Sequence, residues 1–215
     1  MTSQTMQQIE AQVQQLLTRA GLKTLGWFGD DAGCGLLIGN VGSGLWPSFS
    51  GSAEYADGLP NPMDRWTVSI VGPVARELGA DIRYPFGDTV WPFQHYARQA
   101  MGIDQSPIGL LIHPEFGLWS AFRAALIFER EGDAIAPMIA VSPCDSCVDK
   151  PCLSSCPIGA FTPQGFDYRS CKTHVASADG AACFTNGCLA RQACPVGKDH
   201  AYSPEHQNFH MCAYI

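Results

Sequence analysis

The chain has 215 residues, 46% of them hydrophobic and 15% charged, which is enough apolar material for a buried core and excludes a disordered, low-complexity chain. Thirteen basic residues face 20 acidic ones for a formal net charge of −7, and lysine is absent between Lys23 and Lys150. Neutralising phosphates takes a basic stripe, so nucleic acid is not expected as a partner.

The first twenty residues, MTSQTMQQIEAQVQQLLTRA, are polar and glutamine-rich, unlike a secretory signal. No apolar run reaches the length of about eighteen residues that a membrane-spanning helix needs. The expected location is the cytoplasm, where thiols stay reduced.

In chain order, residues 3–20 predict an amphipathic helix, with Ile9, Val13, Leu16 and Leu17 at helical spacing and Gly21 as its stop. Residues 36–41 read as a buried strand. The glycines of GCGLLIGNVGSG, at Gly33, Gly35 and Gly39, are spaced one residue too long for the dinucleotide fingerprint, and no G-K-S/T follows. Turns around a strand are the reading preferred for them. Asp64 is expected to cap a helix through RWTVSIVGPVARELG, interrupted at Pro73 and ending near Gly79. A short strand at 81–84, a helix at 92–101 and a strand at 109–113 follow. Residues 121–129 read as a strand, with a buried helix as the alternative for AFRAALIF.

Cysteine usage divides the chain. Cys34 is the only cysteine before residue 140, and nine lie beyond it. The expected boundary falls in residues 136–143, giving a mixed α/β domain at 1–140 and a cysteine-rich domain at 141–215. The stretch PCDSCVDKPCLSSCP has the spacing C-x2-C-x4-C-x3-C-P, close to the bacterial ferredoxin run C-x2-C-x2-C-x3-C-P, in which the cysteine before the proline serves the other cluster. A second set, Cys171, Cys183, Cys188 and Cys194-Pro195, also ends in Cys-Pro. Reciprocal pairing puts one 4Fe-4S cluster on Cys144, Cys147, Cys152 and Cys194, and the other on Cys156, Cys171, Cys183 and Cys188. Cys34 reads as a small buried side chain, and Cys212 is an alternative to Cys183. Zinc held by Cys144, Cys147 and later thiolates is the rival, and His206-x3-His210 has a ligand-like spacing, but the intervals far exceed those of a zinc finger. Disulfides are disfavoured in a reducing compartment.

PCDSCVDKPCLSSCPIGAF, YRSCKTH and the later ACPVG resemble the ferredoxin module of epoxyqueuosine reductases and the related corrinoid-dependent reductive dehalogenases. Upstream, GLLIHPEFGLWSAFRAALIF resembles the cofactor-binding strand-turn-strand of that family, and HPEFGLW is similar to a stretch in cblC-type cobalamin-processing proteins. Together these cover roughly residues 84–197. The resemblance implies an α+β fold: a cofactor-binding-like α/β domain followed by a ferredoxin-like two-cluster module. It implies cobalamin as a further cofactor, with flavin the next candidate. In GDTVWP it implies Asp88 as a proton donor, beside a turn or cap reading for the same residue. It implies His113 and Trp119 as cofactor-lining residues, beside a structural reading for each.

The chain departs from the reductases in length, in lacking their C-terminal helical repeats and in its Cys-x4-Cys spacings, which argues against transfer RNA as substrate. The expected activity is that of a corrinoid-linked oxidoreductase fed by an electron-donor protein, in which the two clusters pass single electrons to a corrinoid held by the N-terminal domain. The alternatives are a ferredoxin-type carrier whose N-terminal domain docks a partner enzyme, and a zinc-stabilised interaction module.

Overall fold

The computed structural model describes residues 4–30, 33–129, 135–136, 138–139 and 142–215. The fold is mixed α and β. The elements are α1 (Met6–Leu17), β1 (Lys23–Asp30), β2 (Gly33–Val41), α2 (Trp46–Ser50), α3 (Ala53–Ala56), α4 (Pro62–Leu78), β3 (Asp81–Arg83), α5 (Phe93–Met101), β4 (Asp104–Gln105), β5 (Leu111–Ile112) and β6 (Ser120–Phe128). After them come α6 (Pro151–Ser154), β7 (Phe161–Thr162), β8 (Gly165–Phe166), α7 (Tyr168–Val175), α8 (Ala181–Asn186), α9 (Leu189–Gln192) and α10 (Pro204–Tyr214). Packing divides the chain into two units: Met1–Gly102 with Ala121–Ile139, and Ile103–Ser120 with Ala140–Ile215. The segment Ile103–Ser120 thus packs with the cysteine-rich part, although it precedes the step in cysteine content. Residues 137, 140 and 141 of the expected boundary lie outside the described residues.

The first unit is built on a four-stranded sheet of order β1-β2-β6-β3. Helix α1 starts with a capping box: Gln8 N donates to Thr5 Oγ1 at 3.2 Å, and Thr5 N donates to Gln8 Oε1 at 2.9 Å, an arrangement worth about 1 kcal/mol. Its buried stripe of Ile9, Val13 and Leu17 follows the helical period. Leu16, counted in that stripe from the sequence, is 39% exposed.

Strand β2 is buried along nearly its whole length. Gly42 and Gly44, just past the strand, do lie in a turn, but Gly35 and Gly39 are inside β2: a Cβ on Gly35 would lie 2.1 Å from the Phe28 ring, and one on Gly39 would lie 2.1 Å from Ala121 O. They let neighbours approach within the sheet rather than cradle a phosphate. Residues 121–129 resolve in favour of the strand, as β6.

Helix α4 corrects two expectations. Its first residue is Pro62, placed where a missing N–H costs nothing, and Asp64 lies inside the first turn instead of capping it. Burial raises the Asp64 pKa, with Arg123 opposing. The helix runs unbroken through Pro73 to Gly79, which ends it at φ 64°. An interior proline costs about 3 kcal/mol, but burial of Trp66, Val71, Val74 and Ala75 on the same helix, at roughly 1.5–3 kcal/mol for each large side chain, outweighs it.

In the second unit the expected strand at 109–113 shrinks to Leu111–Ile112, paired antiparallel with Asp104–Gln105. Gly109, at φ 82°, belongs to the turn joining them, where Gly109 N donates to Ser106 O at 2.9 Å and Ser106 N donates to Leu110 O at 2.7 Å. A second tight turn follows at once, with His113 and Gly117 exchanging backbone hydrogen bonds of 2.9 Å. Gly117 is required there: its φ is +59°, and a Cβ would lie 2.0 Å from Val196 O. Gly197, at φ +69°, meets the backbone of Phe116 and Gly117 as closely. This contact seats the turn 113–117 directly against the Cys194-Pro195-Val196-Gly197 loop.

Candidate metal centre

The nine cysteines beyond residue 140 are not scattered. Two short helices, α6 and α9, pack on each other, and each is soon followed by a Cys-Pro-x-Gly turn: Cys156-Pro157-Ile158-Gly159 and Cys194-Pro195-Val196-Gly197. Proline cannot continue a helix, and glycine accepts the left-handed turn, with φ 60° at Gly159 and 69° at Gly197.

Cys144, Cys147, Cys152 and Cys194 line one tight hollow of about 20 Å³, closed by Ser106, Pro107, Ile112 and Leu118 from the preceding segment. Cys152 and Cys194 are 8% and 6% exposed and pack into an apolar cluster with Ile108, Ile112, Leu118 and Ala190. Burial pushes the Cys152 thiol up, and the neighbouring Cys194, Cys144 and Cys147 add to it. Cys144 is pushed up likewise, by burial first and then by Cys194, Cys147 and Asp145, against a hydrogen bond from Ser142.

Cys156, Cys171, Cys183 and Cys188 line a second, wide hollow of about 460 Å³. Here each cysteine comes from a different place: past the end of α6, on α7, on α8 and at the start of α9. Burial pushes Cys183 up, with Cys171 and Cys156 adding and the Leu189 amide opposing. Cys188 is also pushed up by burial, against the amides of Arg191 and Ala190, with Cys171 and Cys183 adding. Ala160 N donates to Cys156 Sγ at 3.3 Å. The Tyr214 phenol is raised by burial first and next by a hydrogen bond with Cys171. The wall is almost wholly apolar, and Leu110, Ile158 and Phe166 on it are 42%, 39% and 45% exposed.

None of the ten cysteines forms a disulfide. Cys183, not Cys212, faces the wide hollow; Cys212 is exposed and its Sγ lies 3.7 Å from Asn208 Oδ1. Cys34 is fully buried on β2. Among the described residues no three His, Cys, Asp or Glu side chains converge closely enough to grip a single metal ion. His206 and His210 place their Nε2 atoms 3.1 Å apart, with His206 stacked on Tyr202 at 4.1 Å.

The other residues singled out from the sequence lie elsewhere. Asp88 sits in an exposed bend of the first unit between β3 and α5. That loop is flanked by Arg83, whose guanidinium bonds Asp30 and Tyr96 and lies 4.1 Å over Trp91. His113 and Trp119 both belong to the second unit. His113 Nδ1 accepts the Glu115 and Phe116 amides, each at 3.1 Å, so its proton is on Nε2. Its ring stacks on Phe116 at 4.1 Å, and burial lowers its pKa. Trp119 is 1% exposed, beneath Arg191 at 4.3 Å and beside Tyr202 at 5.4 Å. Arg191 lies 4.5 Å from the Tyr202 ring and donates to Leu118 O from Nε at 3.1 Å and Nη2 at 2.6 Å.

Sequence reading missed Ser106, Arg191 and Tyr214. Arg191 and Tyr214 sit on the wall of the wide hollow and Ser106 on that of the tight one. Of these only Arg191, between Cys188 and Cys194, carried any signal. Ser106-Pro107 looks like ordinary turn chemistry, and Tyr214 reaches Cys171 only through the packing of α10.

No family model and no curated protein matches the chain. Its likeness is to solved structures. The C. elegans B12-trafficking protein CblC, a homologue of human MMACHC, superposes with a TM-score of 0.53 at 15% identity, covering 95% of this chain and 91% of that one. An epoxyqueuosine reductase bound to a tRNA-Tyr stem loop aligns with a TM-score of 0.49 at 13% identity, covering 93% and 71%. The CblC likeness is one of fold.

Proposed function

We propose that the chain is a redox protein in which Cys144, Cys147, Cys152 and Cys194 hold one 4Fe-4S cluster, Cys156, Cys171, Cys183 and Cys188 hold another, and single electrons are delivered to a corrinoid. The observation that carries the reading is the partition of eight cysteines into two sets of four, each drawing one member from the other's stretch of chain. A zinc ion bound by four sulfurs at about 2.3 Å draws them onto one point. Among the described residues no three of these side chains converge on one point, and each set of four lines a hollow, which suits ligation at the corners of a cube. A 4Fe-4S cluster supplies one-electron chemistry when bound.

The chain's own residues do the rest. Apolar walls keep water from the sulfurs, and the Ala160 amide stabilises charge on Cys156. The wide hollow, rimmed by the exposed side chains of Leu110, Ile158 and Phe166, is the side an electron-donor protein approaches. Support for a corrinoid is of two kinds. The fold is like that of a B12-trafficking protein. The stretch around HPEFGLWS also buries two polar atoms without a partner, Trp119 Nε1 and Ser120 Oγ, available to the amide side chains of such a ligand. His113 and Trp119 are the residues proposed to face it; Asp88, on the first unit, is a separate proposal as a proton donor.

Purified without oxygen, the chain is expected to carry about eight irons and about eight inorganic sulfides, and to change its visible spectrum when cobalamin is added. Stoichiometric zinc without sulfide overturns the reading. Full iron with no response to cobalamin or to flavin reduces it to an electron carrier.

A further inference from the structure

Ser106 is 6% exposed, and its Oγ is one of three buried side-chain polar atoms without a hydrogen-bond partner among the described residues. The others are Trp119 Nε1 and Ser120 Oγ, and of the three residues only Ser106 lines a cysteine hollow, the tight one. Leaving a buried hydroxyl unsatisfied costs about 1–3 kcal/mol. The backbone does not explain the placement, because its own hydrogen bonds are complete: Ser106 N donates to Leu110 O and Ser106 O accepts from Gly109 N. Pro107 at the second position of that turn holds the residue rigidly. The side chains that line the hollow with it are apolar ones, the four cysteines and Lys150, so none of them carries an oxygen acceptor, and no backbone oxygen among the described residues pairs with the hydroxyl.

We propose that the Ser106 hydroxyl donates a hydrogen bond to a sulfur, sulfide or thiolate, of the cluster in the tight hollow and raises that cluster's reduction potential. The proposal rests on the two-cluster reading. One electron from an external reductant adds negative charge that the cluster's sulfurs share, and a hydrogen bond to a more negative acceptor is stronger. The donor therefore favours the reduced form, and the hydroxyl keeps its proton throughout.

The test is a potentiometric titration with dithionite of the anaerobically purified chain, followed by electron paramagnetic resonance, with iron and sulfide measured on every sample. In Ser106→Ala, the reduced-to-oxidised ratio of one cluster at fixed potential is expected to fall about fivefold to tenfold, with the other cluster unmoved. Ser106→Thr and Ser106→Val are nearly equal in size and differ in the hydroxyl: Thr is expected to keep the wild-type potential and Val to show the shift. Full iron in Ser106→Ala with neither potential moved, or equal potentials for Thr and Val, overturns the role of Ser106 and leaves the clusters standing. A wild-type chain without iron and sulfide overturns the cluster reading itself.

Discussion

The two hollows have the same number of cysteines and are built in opposite ways. Three cysteines of the tight hollow come from one short run, Cys144 to Cys152, and only Cys194 arrives from a distance. Closing so short a loop costs little chain entropy, and the result is a cavity of about 20 Å³ with two deeply buried sulfurs. The wide hollow draws on a wider spread of chain: Cys183 and Cys188 are near each other in sequence, but Cys156 and Cys171 come from the end of α6 and from α7, so the packing of α7, α8 and α9 is needed to complete the set. It is larger, at about 460 Å³, and its rim is exposed. Local chain shapes one site and tertiary structure the other, which makes the first the more protected and the second the more accessible.

The largest test of this contrast is which cysteines act together. Cys144→Ser with Cys194→Ser is expected to lose about four of about eight irons, no more than either substitution alone, because both serve one hollow. Cys144→Ser with Cys156→Ser, only twelve positions apart on one stretch, is expected to lose nearly all iron. Cys212→Ser should lose none. Iron analysis of these five variants, two single, two double and Cys212→Ser, decides the grouping, and the opposite pattern breaks it.

Next in size is Gly117→Ala. Its Cβ would strike Val196 O beside Cys194 in a left-handed backbone, so a loss of about 2–4 kcal/mol in denaturant unfolding is expected, with the tight hollow affected before the wide one. Arg191→Lys removes the forked donation to Leu118 O and the stacking on Trp119 and Tyr202 while keeping the charge. A loss of about 1–3 kcal/mol is expected from the same measurement.

The smallest effect is the pH response of His113. Burial lowers its folded pKa, against the pull of Glu115, so the unfolded chain binds the proton more tightly. Its contribution is therefore present above the unfolded pKa of about 6.5 and is lost as pH falls below it. His113→Asn, whose Oδ1 can accept the same two amides without titrating, is expected to flatten that part of the dependence, read as the urea midpoint between about pH 7.5 and about pH 5.5.

Local signals were legible in the sequence where local forces decide the outcome. The stops at Gly21 and Gly79 both fall at helix ends, because a left-handed cap is chosen by the residue itself. Strand β6 was readable from its run of buried apolar residues. Strand β1 was not: Gly26 and Gly29 dilute the apolar pattern of KTLGWFGD, and a register shift between Thr24 and Gly26 breaks its alternation. Pro73 misled because its cost is local and the compensating burial of Trp66 and Val71 is tertiary. The expected sets of four cysteines line two separate hollows, and the two Cys-Pro steps are the local signal on which that expectation was built. Ser106 was not, because a hydroxyl without a partner can be recognised only once everything around it is in place.

The exchange of Cys156 and Cys194 between sets has a mechanical consequence. The β7–β8 hairpin turns at Pro163 and Gln164, both exposed, and offers a protease a ready point of attack. A cut there leaves an upstream fragment with Cys144, Cys147, Cys152 and Cys156 and a downstream fragment with Cys171, Cys183, Cys188 and Cys194. On the proposed two-cluster reading each fragment then has a hand in both cages, so a nicked chain is expected to be held together by the clusters as well as by the packing of Ile108, Ile112 and Leu118 with Ala190, and to dissociate more readily once a chelator or oxygen strips the iron.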